Sequence, residues 1–311
     1  MNTETNELPQ SPLASPAVAP ISPARPFYWS VRRELWENRS IYLAPLIAAG
    51  VLLFGFGMTV FELPRRRLNA LALESARQRA AIELPYDVAA MMIMFTAFIV
   101  GVFYCLDALH GERRDRSILF WKSLPVSDLT AVLSKAIVPL AILPMLTFAI
   151  IIATQFLMLL ISTVVLLPSG LAGTTWQLLP WFQLSVILLY GIITSVIWTA
   201  PVYGWLLVVS GYARRATFLW AVLPWLGIAA IEKIAFNTTY FAQMLRDRLS
   251  SFEHAFVVVK YPKDAHVPMV DRLIQLDPLK FLSSPGLWIG LVVAAAFFAA
   301  AVRLRRDRGP L

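Results

Sequence analysis

The densest set of side chains capable of acid–base chemistry falls within six residues: Asp107, His110 and Glu112, in "DALHGERRDRS". Two carboxylates and an imidazole at this spacing can move protons. Hydrolysis would also need a nucleophile or a metal-held water, and neither pattern accompanies them. The other two histidines, His254 and His266, are far away in sequence. The single cysteine, Cys105, lies in an apolar run, so no internal disulfide and no Cys/His metal spacing can form. No HExxH, no GxSxG and no ExxH pair on an apolar run occurs. The Gly-x4-Gly-Lys-Ser/Thr phosphate loop is also missing, so the chain carries no P-loop ATPase of its own.

The same region opens a longer charged stretch, "GERRDRSILFWKSLPVSD", residues 111–128. Glu112, Arg113, Arg114, Asp115 and Arg116 would bring a helix out of the membrane. Ile118, Leu119, Phe120, Trp121 and Leu124 then form an apolar patch for an interface or a partner's cleft. Pro125 breaks the helix, and Ser127 or Asp128 can cap the next one, which runs through "LTAVLSK". The expected product is a short helical elbow, continuous with a membrane helix on either side. Its plain alternative is a solvated loop that only enforces topology.

The elements that must hold this elbow are read from hydropathy. Of the 311 residues, 58% are hydrophobic and only 15% charged, against about 25% charged in soluble domains. Six apolar runs approach the ~20 residues a spanning helix needs: 41–61, 88–106, 136–161, 184–210, 217–233 and 286–302. The chain therefore reads as an all-α polytopic membrane protein with six transmembrane helices. Residues 1–25, rich in proline, read as a disordered cytoplasmic tail, and 26–311 as one membrane domain. The net charge of +8 is spread around the spans, with no compact basic domain for nucleic acid. Basic residues near the span ends favour both termini inside. That side would hold fifteen, from Arg25 and Arg32 through Arg113, Arg214 and Arg308, against eleven opposite.

Three flanking segments also have a reading. Phe27, Val31 and Leu35 recur at near-helical spacing with Trp29 and Trp36, as an amphipathic helix lying on the cytoplasmic surface would show. The first outer loop, "RLNALALESARQRAAIEL", has helix-forming composition and would extend the first two spans as a hairpin. The long fifth loop offers "YFAQMLRDRLSSF" as a short surface helix and "FVVVKYP" as an extended piece.

Ionisable residues are almost missing from the middles of the runs, which argues against a carrier driven by its own buried acids. Pro139, Pro144, Thr147 and Thr154 in the third run, and Thr194, Ser195, Thr199 and Pro201 in the fourth, have two readings. They form a deformable translocation path, or they serve ordinary helix packing.

"ERRDRS", "ILFWKS", "LPVS" and "LSK", with Lys135 entering the third run, resemble the permease subunits of ABC-2 type transporters. The resemblance extends to the interfacial first helix, the six spans, the long loop before the last one and the arginine-rich end "RLRRDR". It departs at "DRS", where many relatives carry an acid–glycine–threonine turn. The resemblance implies an exporter subunit in the cell (inner or cytoplasmic) membrane, working as a pair with a second permease copy or paralogue. It implies docking on a separate cytoplasmic ATP-binding subunit, which would hold ATP and magnesium; this chain would hold no cofactor. The coupling role falls on Glu112, Arg113, Arg114, Asp115, Leu124, Pro125, Val126, Ser127 and Asp128. The alternatives are a membrane enzyme acting on lipid through Asp107, His110 and Glu112, or a scaffold or sensor subunit that moves nothing.

Overall fold

The computed structural model describes residues 24–73, 75–123, 126–249 and 276–309, and all of its described elements are helices. Among the described residues six helices are long and apolar enough to cross a membrane. They are α2 (Ser40–Thr59), α4 (Ser75–Ala108), the joined α7 (Asp128–Ile137) and α8 (Leu143–Leu166), α10 (Trp181–Tyr212), α11 (Thr217–Phe236) and α14 (Pro285–Asp307). Each apolar run identified from hydropathy became one of them. The fifth run continues through Glu232 and Lys233, which gives α11 its full 20 residues. At 1.5 Å per residue that is about 30 Å, the thickness of a bilayer's hydrocarbon core.

Up to Ile231 α11 is apolar all round, and it leaves Leu223, Leu226, Ile231 and Ile234 exposed. A helix of that kind is solvated by lipid. Short helices sit at the ends of the long ones. α1 (Ala24–Glu37) precedes the first, α3 (Leu63–Leu71) and the start of α4 extend the first two, and α9 (Ala172–Leu178) caps the third. α12 (Tyr240–Leu249) and α13 (Pro278–Ser283) precede the last. The expected extended piece "FVVVKYP" and the tail up to residue 23 lie outside the described residues.

One end of the bundle, here the near face, gathers both ends of the described helices. It carries α1, the start of α7, the end of α10 and the end of α14, and the elbow between α4 and α7. The most extensive helix pairing joins α10 to α14. Gly204 and Gly211 on α10 lie against Phe297 and Leu304 on α14, with Ala294 and Ala301 buried in the same seam. All three pairs repeat at seven residues. Small residues on that repeat let two backbones approach closely where lipid supplies no hydrophobic drive.

Between α7 and α8 the helix widens into one π-type turn, Val138–Ile142. Pro139 sits in it, and Pro144 begins the next segment. A proline ring has no N–H to give and collides with the carbonyl four residues earlier. An extra residue in the turn relieves that collision without ending the helix.

Candidate functional site

The near face holds a cluster of buried charge at the root of the elbow. α4 ends at Ala108, and α5 (His110–Arg114) begins after a single residue. The N–H groups of Leu109 and His110 both donate to Ser210 Oγ on α10, each at 2.9 Å. Arg113 points the same way. Its guanidinium donates to the carbonyls of Gly211 (2.8 Å) and Ala213 (3.3 Å), and its Nε to Gly309 (3.2 Å). These are carbonyls with no partner within their own helix, and an arginine satisfies them with a favourable charge.

Glu112 is also buried, and cations surround it. Its Oε1 lies 3.2 Å from Lys135 Nζ and 3.3 Å from an Arg33 guanidinium nitrogen. Its Oε2 lies 3.5 Å from Arg305. Lys135 in turn meets Glu34 Oε1 at 2.7 Å, and Tyr104 donates its hydroxyl to Glu34 Oε2 at 2.9 Å. Arg305 also pairs with Asp128 at the start of α7. Glu34, Lys135, Arg305 and Glu112 are only 2%, 3%, 5% and 7% exposed, so this is an interior network. It ties α1, α4, α5, α7 and α14 together. Arg33 completes its outer edge, lying 3.5 Å above the Trp121 ring and bonded to Glu37. Burial alone would lower the Arg33 pKa. The Glu37 hydrogen bond and the charges of Glu34, Glu37 and Glu112 outweigh it and hold the group above the usual arginine range.

From this root α6 (Ser117–Ser123) projects. Ile118 is fully buried beneath it, while Leu119 and Phe120 are 59% and 60% exposed. Arg116, between α5 and α6, takes a left-handed backbone with φ 58°. Lys122 donates to the carbonyls of Arg306 and Arg308 at the end of α14. At the far side of the elbow Ser127 is the cap of α7, accepting from the Thr130 N–H at 3.1 Å.

The residues picked out in sequence therefore separate. Glu112, Arg113 and Asp128 are structural contacts of the root. Arg114 and Asp115 are exposed and paired at 3.0 Å, and Arg114 reaches Asp107 at 3.6 Å. Val126 is half-buried and Ser127 exposed; Leu124 and Pro125 lie outside the described residues. The sequence reading missed Glu34, Arg33, Tyr104 and Arg305. One signal was present for Glu34. It falls three residues after Val31, on the apolar stripe of α1, where an acid demands a buried partner. His110 is likewise committed, its Nδ1 lying 3.2 Å from the Ala213 carbonyl. Among the described residues no group of three His, Cys, Asp or Glu could hold a metal ion.

A second feature lies deeper. A cavity of about 600 Å³ separates α4, α8 and α10. Pro139, Pro144, Thr147, Ser195 and Thr199 line it. Thr154 and Thr194 do not line it; like Thr147 and Thr199, they donate to carbonyls of their own helices.

Together these features define a helical protein with six membrane-length apolar helices among the described residues and a buried network of charge on one face. Comparison with known proteins gives no match: no family model, no curated protein and no solved structure is similar to this chain.

Proposed function

We propose that the chain is the membrane-spanning permease subunit of an ATP-driven ABC-2 type transporter, an exporter, with the elbow at 111–128 as the dock for a separate ATP-binding subunit. One observation carries this reading. The elbow presents Leu119 and Phe120 outward from a root that is fastened by buried ion pairs to three other helices, α1, α7 and α14. A surface so anchored can pass a displacement into α4 and α7 without bending. The left-handed Arg116 agrees with the resemblance. A glycine in an acid–glycine–threonine turn adopts that backbone freely, and here the same place has it without glycine. The near face is then cytoplasmic, the membrane is the cell membrane, and a second permease copy or paralogue completes the assembly. ATP and magnesium belong to the ATP-binding partner.

The test is co-purification with ATP-binding subunits encoded beside this chain. Leu119→Asp and Phe120→Asp change exposed side chains, so the variants should fold and melt as the parent does. Each should lose the complex and the stimulated ATP hydrolysis. If both variants bind and stimulate like the parent, the docking surface lies elsewhere and the reading fails.

A further inference from the structure

We propose that the cavity between α4, α8 and α10 is a binding site for amphipathic organic cations, with Asp87 as the contact for the positive charge. Its volume, about 600 Å³, lies within the range of small-molecule pockets. From Asp87 to Phe98 along α4 it extends roughly 16 Å at 1.5 Å per residue, long enough for an apolar body below a polar head.

Among the described lining residues Asp87 is the only ionisable acid or base apart from the phenol of Tyr203. Among the described residues no hydrogen bond or ion pair engages its carboxylate. Arg248, beside the lining residue Leu249, is committed elsewhere. Its guanidinium lies over the Trp198 ring at 4.5 Å and donates to the carbonyls of Trp198 and Gly286. A carboxylate half-withdrawn from water at the edge of an apolar cavity costs free energy until a cation joins it. Among the described lining residues an anionic ligand would meet that carboxylate and no lysine, arginine or histidine to offset it.

The rest of the lining suits a hydrophobic body of no fixed shape. Met91 and Met94 are flexible and polarisable, and Phe95 and Phe98 add aromatic faces. Met91 and Phe95 are also exposed at the surface of the bundle, so the cavity opens sideways rather than being sealed. An amphiphile dissolved in the bilayer can reach it by that route. As a statement about cargo this rests on the transport reading; as a statement about binding it rests on the cavity alone.

The experiment therefore reads binding without any ATP-binding partner. The full chain is placed in phosphatidylcholine nanodiscs and titrated with radiolabelled tetraphenylphosphonium by equilibrium dialysis. Tetraphenylborate, nearly the same shape with the opposite charge, is titrated by the same dialysis in a separate sample. Saturable binding of the cation above that of empty nanodiscs is expected, with no saturable binding of the borate. Asp87→Asn should weaken the affinity about tenfold or more, a change easily resolved by dialysis. Met94→Trp, which fills the cavity without touching the charge, should weaken it too, with circular dichroism unchanged. Equal binding to the parent and to Asp87→Asn would overturn the proposal. So would saturable binding of the borate that Met94→Trp weakens, or a co-purified lipid that the cation does not displace. Loss of coupling to an ATP-binding subunit would leave all these outcomes unchanged.

Discussion

Lys135 stands between two buried carboxylates, Glu34 at 2.7 Å and Glu112 at 3.2 Å, and is almost free of solvent. Replacing it by methionine keeps the stem and removes the charge. Two acids then face each other across a dry gap, with Arg33 and Arg305 left to serve them. Breaking a buried ion pair from one side costs about 3–5 kcal/mol. Lys135→Met should therefore lower the melting temperature of the purified protein sharply. The double variant Glu34→Gln with Lys135→Met should recover part of the loss, because the cost lies in the stranded charge. An unchanged melting point for the single variant would show the network to be energetically idle. Lys135 was legible in sequence as part of "LSK" entering the third run. Its partner Glu34 was not, because the contact spans 101 residues and no local pattern records it.

At the scale of elements, the six long helices were legible because lipid imposes one rule on all of them: every exposed side chain must be apolar. The runs at 41–61 and 184–210 correspond to α2 and α10 within a few residues. The π-type turn was not legible. Pro139 announced a disturbance, but whether the helix kinks, breaks or widens depends on neighbours far away in sequence. The α10–α14 seam was invisible for a related reason, since glycines in apolar runs carry no address. The structure makes one of them testable. A Cβ at Gly204 would meet the Phe297 Cβ at 3.0 Å and the Ala294 carbonyl at 3.4 Å. Gly204→Leu should wedge the two helices apart, at a cost of about 1–3 kcal/mol. Thermal unfolding in detergent would register it, and faster hydrogen exchange in α14 would locate it. Gly227, with open space about its Cα, offers the control: Gly227→Ala should leave stability unchanged or raised.

The whole molecule is an arrangement in which the first and last described helices, α1 and α14, meet on one face. The even number of runs implied this meeting; the contacts that seal it were beyond sequence reasoning, since they depend on which faces of α1, α7 and α14 turn inward. Arg305 is the clearest case, an arginine in "RLRRDR" indistinguishable in type from its neighbours yet the one of them that enters the interior. That fact has a consequence in time. Chains are made from the N-terminus, at about 5–20 residues per second. Glu34, Glu112 and Lys135 are all in place long before Arg305 exists. During that interval Glu112 lacks its last cation and Asp128 the one it pairs with among the described residues, and the buried network is incomplete. Insertion of α14 therefore closes the molecule as a clasp closes a bracelet, and quality control has a charge to sense until it does. Chains ending before Pro285 should be degraded faster than the full chain in a pulse-chase measurement, and Arg305→Met should shorten the lifetime of the full chain in the same direction. An equal lifetime for all three would mean that the last helix is an addition to a molecule already finished.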